Sequence, residues 1–450
     1  MKFTKKLSQN YTGYGNSLTK ISYPRNIRDI KKLLSYCKKS DLKLIPVGSK
    51  LSWYDTILNT ENVILDLKNF KKKFYLRKDN TLVLTPNFTV NEVTKKLEKH
   101  RLSLISIPGA LYASIGGCIG NDVHGKDSFL YGNFCENLIY IKILTPNSKL
   151  ITVTRKKPDL FKSICGGLGL IGIIVEIKIK LKKTYKFYRK ETVKCENYKK
   201  LIKNIYDDCK NYENIFGWID LYATKKNLGR SVLFKIKKSN QSKINTLILP
   251  KIFKDIIDKS RSQIFSLAIK LNLVKYVNLV YYKFLEKKNY KIINNKNFIY
   301  PLEELKFDIK KLIYPNKFCE IQIIIEKKNL HKEIKSFIEY TQKLKLKSFI
   351  AGIKMHKQSD NYLSFAHEGV SLNINHIFNS KNKQQIFNKM KLLHNYCIRR
   401  KFKIYIGKDF FIKKKDILKT YKHSKKFFKI KKRIDPKETI TSDFYRRINS

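Results

Sequence analysis

Residues 166–181, GGLGLIGIIVEIKIKL, restrict the choice of fold more than any other stretch of the chain. Gly167, Gly169 and Gly172 spell a literal G-x-G-x-x-G, the pattern of a turn that offers a helix N-terminus to the pyrophosphate of a dinucleotide. That chemistry needs a helix after the glycines, so that the first unpaired amides point at the anion. Here Val175, Ile177, Ile179 and Leu181 alternate with Glu176, Lys178, Lys180 and Lys182. A period of two predicts a strand with one buried face. The glycines therefore open a strand, and a doubly wound fold organised around this turn is excluded.

The flanking pattern predicts an α+β fold. Ile30, Leu33 and Leu34 space a helix within 26–40, and LKLIPVGS reads as a strand running into a turn. ENVILDLKNF follows as a strand, YLRKDNTLVLTPNFTV as a hairpin and NEVTKKLEKH as a helix capped by Asn91. LSLISIPGALYASIGGCIGND holds a Pro-Gly turn and a glycine cluster, and NLIYIKILTPNSKLITVT forms a hairpin around Pro146, Asn147 and Ser148. Short strands and helices with mostly local connections are α+β rather than alternating α/β. Near residue 188 glycine becomes sparse and lysine denser. Within 244–290, IFKDIIDKSRSQIFSLAIKLNLVKYVNLVYYKFLEKK is basic and helical in spacing. It reads as helices covering a sheet or, more sharply, as an amphipathic surface that touches membrane. Strands return at FCEIQIIIEKK, SFIAGIKM and VSLNINHIF, followed by a helix over 382–400 and then FKIYIGKDFF. Domains are expected at 1–187 and 188–403, with 404–450 as a C-terminal segment.

Charge is the unusual part of the composition: 95 Lys+Arg against 36 Asp+Glu give +59. Such a field draws anionic partners. Its cause is codon usage, because Lys, Asn, Ile, Phe and Tyr, all with A/T-rich codons, crowd the whole length. The lysines are spread rather than gathered into a stripe, which argues against a specific nucleic-acid partner. The eight cysteines include no C-x-x-C pair, so no zinc or dithiol motif is expected, and no metal centre. Their scatter suits a reducing compartment, and MKFTKKLSQNYTGYGNS lacks the apolar core of a secretory signal. The expected location is cytoplasmic, with contact at the inner face of a membrane.

Three segments carry candidate chemistry: PVGSKLSWYD at 46–55, PGALYASIGGCIGNDVHGKD at 108–127 and GGLGLIGI at 166–173. Gly116, Gly117 and Gly120 would let backbone amides approach a diphosphate, as an anion-binding nest does. In this order the three resemble the FAD-binding domain of the vanillyl-alcohol oxidase (PCMH) type. That family writes V-G-S-G-H-S-W for the first loop, here VGSKLSW, then P-G-x…G-G-x-x-x…H-G, then G-G-x-G-L-x-G-I/V. The second segment is similar in particular to the decaprenylphosphoryl-ribose oxidases. So are NYTGYGN (10–16, with Tyr14 for Trp), FGWIDLYATKKNLGRSVL (216–233), IYIGKDFF (404–411) and RIDPKETITSDFYRRI (433–448).

The resemblance implies a two-part PCMH-type FAD-binding domain and an α+β substrate domain, an antiparallel sheet covered by helices. The C-terminal segment would return to the FAD domain. FAD contacts would come from Val47, Gly48, Ser49, Lys50, Ser52, Pro108, Gly109, Ser114, Gly116, Gly117, Gly120, Asn121, His124, Gly125, Gly169, Gly172 and Ile173. Lys408, His124 and Tyr405 would be catalytic, and Lys126, Gln322, Lys354 and Asn373 would meet substrate. Asn373 stands where the narrower family has a cysteine, so thiol chemistry is not expected. Leu51 stands where related lactone and alditol oxidases carry the histidine that bonds to flavin, which makes noncovalent FAD the expectation. Lys50 and Tyr54 replace glycines of that loop.

The implied reaction oxidises a secondary alcohol of a sugar by hydride transfer to flavin N5. The substrate would be a sugar or a polyprenyl-phosphoryl pentose, oxidised at the 2′ position as half of an epimerase with an NAD(P)-dependent reductase. Two other readings stand beside it: an FAD-dependent aldonolactone or alditol oxidase, and a basic nucleic-acid-binding protein without enzyme activity.

Overall fold

The computed structural model describes residues 3–10, 12, 16–241, 263–264, 266–269, 271–284, 289–299, 317–346, 348 and 350–450. Most of the 10–16 motif, Tyr14 included, and much of 244–290 lie outside the described residues. The chain forms two compact units: Met1–Lys183 with Lys357–His367 and Ile398–Ser450, and Thr184–His356 with Glu368–Cys397.

The first unit carries two sheets. β1 (Thr4–Gln9), β2 (Asn16–Ser22), β3 (Leu44–Val47) and β4 (Val63–Asp66) pair in the order β1-β2-β4-β3, with β3 and β2 both parallel to β4. Parallel neighbours need a crossover, and the helix α1 (Ile27–Lys39) supplies it between β2 and β3. Asn26 caps α1 by accepting from the Asp29 amide at 3.0 Å, and Ile30, Leu33, Leu34 and Cys37 line its buried face. Each such aliphatic side chain contributes roughly 1.5–3 kcal/mol on burial.

The second sheet is antiparallel. β5 (Phe74–Leu76), β6 (Thr81–Leu84), β8 (Leu138–Leu144), β9 (Leu150–Thr154) and β10 (Ile173–Lys183) pair in the order β5-β6-β10-β8-β9, and β7 (Leu102–Leu104) also pairs with β10. The helix between β6 and β7, α2 (Val90–Glu98), is not capped by Asn91. Thr89 caps it in a reciprocal box with Glu92, whose carboxylate accepts the Thr89 amide at 2.8 Å. Asn91 sits in the first turn because the box fixes the start two residues earlier.

β10 begins at Ile173, directly after the glycines, and Val175, Ile177 and Ile179 are buried. The glycine cluster at 115–120 folds as the short helix α3 (Ile115–Gly120) capped by Ser114. Glycine disfavours a helix by about 1 kcal/mol per residue. Fully buried Ile115, Cys118 and Ile119 on the inward side offset that. A further helix, α4 (Pro158–Ile164), with Pro158 at its start, precedes the 166–172 glycines.

The second unit is one antiparallel sheet with helices packed on it. Its strands are β11 (Phe187–Cys195), β12 (Asn214–Ile219), β13 (Ser231–Lys238), β14 (Asn289–Asn294), β15 (Lys317–Glu326), β16 (Ala351–His356) and β17 (Gly369–Phe378), in the order β14-β11-β13-β12-β16-β17-β15. Register separates two faces. Ile323 opposes Leu372, which opposes Ile353, and the helices α5 (Tyr198–Tyr206) and α7 (Leu330–Lys343) pack on this sheet with Leu201, Ile205, Ile334 and Phe337 buried. A helix numbered α6 (Val274–Phe284) precedes β14, and α8 (Lys383–Arg399) follows β17. On the opposite face Gln322 stands against Asn373, Asn373 against Gly352, and Lys354 against both Ser371 and Phe216.

The C-terminal part of the first unit braces β3. α9 (Ser424–Ile434) ends in a turn where Asp435 accepts from the Thr439 and Ile440 amides, each at 2.8 Å. Lys431 Nζ, 1% exposed, lies 2.5 Å from Asp435 and 2.6 Å from the Ile440 carbonyl. The turn sets 439–441 beside β3: the Leu44 amide donates to Thr439, and the Thr441 amide donates to Leu44. α10 (Asp443–Asn449) then brings Arg447 Nε to 2.6 Å from Asp55. Removing one partner of a buried ion pair strands the other charge, at about 3–5 kcal/mol. Asp435→Ala should therefore lower unfolding stability by about 3–5 kcal/mol in urea titration. A change within experimental error would mean the pair does not brace the unit.

Candidate functional site

β3 ends at Val47, and the next residue touches the glycine segment. Gly48 packs so closely on Ser114 that a Cβ there would sit 1.8 Å from the Ser114 hydroxyl oxygen and 3.8 Å from the Gly117 amide nitrogen. Only glycine permits this approach. Ser114 in turn accepts from the Gly117 amide at 3.2 Å as the cap of α3. The helix is pinned from the other side by Gly116, whose amide donates to the Pro86 carbonyl at 2.9 Å. A Cβ on Gly116 would lie 2.9 Å from the Pro86 side chain. At Gly117, by contrast, a Cβ would find, among the described residues, only the Ser114 hydroxyl within contact range outside its own helix. One side of α3 is thus closed and the other approachable.

The loop after Gly48 is built to present backbone. Among the described residues, none of the amides of Ser49, Lys50, Leu51 and Ser52 donates to a backbone carbonyl. Lys50 adopts φ 57°, the left-handed region that glycine fills without penalty and other residues at about 1–2 kcal/mol. Its ammonium lies 2.9 Å from the nearly buried Asp66 carboxylate, an ion pair that holds the strained residue. Tyr54, in place of another glycine, is buried with its ring 5.8 Å from Phe410.

The 166–173 segment supports the other two from behind. Gly169, at φ +78°, packs within 3.3 Å of Pro46 in β3, counted from its would-be Cβ. The Leu168 amide donates to the Gly120 carbonyl at 2.7 Å, and the Gly166 amide to Ile119 at 2.9 Å. Gly172 packs on Ile143 and the Leu144 carbonyl, and Ile173 is fully buried. Pro108 is half-buried and Gly109 exposed, in the turn before Ser114.

Past α3, Asn121 caps the helix and the chain reaches His124, Gly125 and Lys126. A Cβ on Gly125 would lie 2.7 Å from the Ser106 backbone, so the segment lies tight against that residue. The His124 ring is buried, with centroids 5.7 Å from both Phe365 and Tyr405. Tyr405 donates its hydroxyl to the Asn121 carbonyl at 3.1 Å. Burial, reinforced by the Asp122 carboxylate, raises the Tyr405 phenol well above its usual range, so it stays protonated. Burial pulls the Lys126 amine down to about 8, while Asp127 works in the opposite direction. Asp127 itself is engaged by Lys182 at 2.7 Å and by the Ser106 amide. Lys408, in a 3-10 turn over 406–408, holds its ammonium 4.9 Å from the Trp53 ring centroid, at the far end of the first loop. A ring face attracts a cation at that range.

Sequence reasoning missed the part of this cluster that lies in Lys357–His367. Asn361 donates to Asp122 at 3.3 Å, Ser359 to Glu136 at 2.8 Å, and the Tyr362 hydroxyl to Asp159. Lys403 donates to the Ser364 and Ala366 carbonyls, each at 3.2 Å. These contacts hold Phe365 against His124 and Tyr405. Asp122, with no exposure and φ 41°, also accepts the Cys135 amide at 3.2 Å. No local signal marks Phe365, because only docking gives it a neighbour.

Gln322, Lys354 and Asn373 belong to the second unit and share the polar face of its sheet. The Asn373 side chain accepts the Gly352 amide at 2.8 Å. Beside Lys354, His356 shares a hydrogen bond with Ser371 at 2.8 Å. Burial, then the Lys354 charge, lowers the His356 imidazole to about 3, so it is neutral at ordinary pH.

Residues 19–154 match a family model described as an FAD binding domain. This part of the chain is an FAD binding domain. The mixed helices and sheets of the first unit are consistent with the α+β PCMH-type fold. Similar curated proteins include the mitochondrial D-lactate dehydrogenase (cytochrome) of Kluyveromyces lactis, 29% identical over 36% of this chain and 30% of that protein. The decaprenylphosphoryl-beta-D-ribose oxidase of Mycolicibacterium smegmatis is 28% identical over 32% of each. The D-arabinono-1,4-lactone oxidase of Candida albicans is 26% identical over 41% of this chain and 35% of that protein. The chain thus spans about a third of the length of these relatives.

The residues present fit FAD. The loop amides that, among the described residues, donate to no backbone carbonyl, and the approachable side of α3, suit a diphosphate. Among the described residues no helix is long and apolar enough to cross a membrane. The contact between Gly48 and Ser114 gives the domain a direct test. Gly48→Ala should leave the protein folded by circular dichroism but cut retained flavin at least about tenfold, read from the flavin-to-protein absorbance ratio. Full retention would remove this contact from the binding site.

Proposed function

We propose that the chain is an FAD-dependent oxidoreductase that oxidises a secondary alcohol of a sugar, with FAD held noncovalently. The observation that carries this reading is the Gly48–Ser114 approach, set in the same unit as the His124, Phe365 and Tyr405 cluster. Leu51 supports noncovalent binding, since an alkyl side chain cannot bond to the isoalloxazine. FAD, when bound, supplies the two-electron acceptor that oxidation of a carbinol requires.

The protein groups divide the remaining work. His124 takes the carbinol proton. Tyr405 cannot, because it stays a phenol; it holds the His124 ring and the Asn121 turn in place. Lys408, a cation over Trp53, stabilises negative charge as it forms on the alcohol oxygen. Lys126 holds an anionic part of the substrate, and Gln322, Lys354 and Asn373 bind sugar hydroxyls. A polyprenyl-phosphoryl pentose suits the basic chain, and a separate NAD(P)-dependent reductase would turn 2′-oxidation into epimerisation.

Acid precipitation should leave the yellow colour in solution; colour pelleted with the chain would overturn noncovalent binding. Anaerobic bleaching by a polyprenyl-phosphoryl pentose supports the substrate reading, whereas bleaching only by an aldonolactone, a polyol or D-lactate replaces it. Lys408→Ala should retain flavin and slow that bleaching on the order of 10²–10³-fold, the range for losing one preorganised charge stabiliser. Unchanged kinetics would take Lys408 out of the reaction.

The lowered Lys126 amine predicts a pH dependence with a definite sign. The ammonium is present below pH about 8 and lost above it. KM for an anionic substrate should therefore rise as pH passes through about 8. In Lys126→Met the step should vanish; a step that persists in the variant belongs to another group.

A further inference from the structure

α6 (Val274–Phe284) turns its apolar side the wrong way for a core helix. With 3.6 residues per turn, Leu273, Tyr276, Val280 and Phe284 form one stripe, and Val274 and Asn278 lie on the opposite side. The inward side is anchored. Val274 and Asn278 are buried, and the Asn278 side chain donates to Asp220 at 3.0 Å. The stripe is outward: Phe284 is 84% exposed, Tyr276 59% and Val280 52%. Leu267 and Leu271, just before the helix, are more than half exposed as well.

Single exposed apolar residues are ordinary, but a contiguous helical stripe of them marks an interaction surface. Its charge surroundings identify the kind of surface. Among the described residues from 263 to 284 the charged side chains are Lys275 and Lys283, with no Asp or Glu. Lys275 and Lys283 are exposed on the helix itself. Lysine stems can lie along apolar groups while their ammonium heads reach outward. Aromatic and aliphatic side chains facing out, flanked by lysines, match a helix lying in the headgroup region of an anionic bilayer.

We infer that α6, together with Leu267 and Leu271, is a docking surface for an anionic lipid bilayer. The helix is too short to span one and lies along it. This holds independently of the flavin reading, since none of these residues belongs to the nucleotide site.

Vesicle sedimentation with the full chain tests it, using phosphatidylcholine vesicles with and without phosphatidylglycerol. The native protein should pellet with the anionic vesicles, and added salt should weaken the binding. A triple variant, Tyr276→Ser, Val280→Ser and Phe284→Ser, keeps the net charge and should lose at least about tenfold in vesicle affinity. Its thermal unfolding should be unchanged, because the replaced side chains face solvent. In a separate Phe284→Trp variant, the added emission should shift to the blue on anionic vesicles. Equal affinity of triple variant and native protein would overturn the inference, leaving overall charge as the cause of binding. So would a native dimer that the triple variant abolishes while vesicle binding stays the same, which would assign the stripe to a second copy of the chain.

Discussion

The approach of the Gly48 backbone to the Ser114 side chain is the contact on which the arrangement of the glycine segments depends. A single methyl group at position 48 would occupy the space of the Ser114 hydroxyl. That hydroxyl is also the cap of the short helix α3, so the contact couples the end of a parallel strand to the start of a helix. Behind it, Gly169 fits against Pro46 and Leu168 bonds to Gly120. Three glycine-bearing segments, far apart in sequence, thereby share one small volume. An anionic nucleotide is recognised best where amides are fixed in advance, since little ordering is then left to oppose binding.

The His124 cluster obeys the same logic with side chains. His124 is held between Phe365 and Tyr405, and the segment carrying Phe365 is fastened through Asp122, Glu136, Asp159 and Lys403. Every one of these fastenings involves a charged group paired with a hydrogen-bonding partner that is at least partly removed from water. Such bonds are stronger and more directional than neutral ones. In a chain with a net charge of +59, the scarce carboxylates are the informative residues. Asp122, Asp127, Asp55 and Asp435 each organise a turn or an ion pair, whereas many lysines are spread over the surface.

Periodicity made much of this architecture legible. Alternation from Val175 announced β10, and the spacing of Ile30, Leu33 and Leu34 announced α1, because burial on one face leaves a repeat that needs no tertiary knowledge. The glycine motifs marked close approaches for a similar reason: Gly48 and Gly125 stand where no side chain has room. Other features were beyond local reading. Asn91 and Thr89 are both good caps, and only the reciprocal bond with Glu92 decides between them. The 115–120 glycines carry poor helix propensity, yet the Ser114 cap and buried Ile115 and Ile119 make a helix of them. Phe365 carries no periodic or motif signal, since its role arises from docking alone. Lys50 is intermediate: its place in a glycine position was visible, but the compensating pair with Asp66 was not.

The brace formed by Leu44 with Thr439 and Thr441, and by Asp55 with Arg447, joins residues more than 390 positions apart. Contacts of such long sequence separation close late and slowly, because the loop entropy must be overcome before they reward the chain. On the ribosome, β3 and its loop would emerge hundreds of residues before their partners, with the whole second unit made in between. The strand that delivers Gly48 therefore spends translation with one edge unpaired, a template for wrong pairing until the C-terminal turn arrives. Competence to bind nucleotide is in this sense a property of the finished chain, gained only when its closing turn clicks onto the opening sheet.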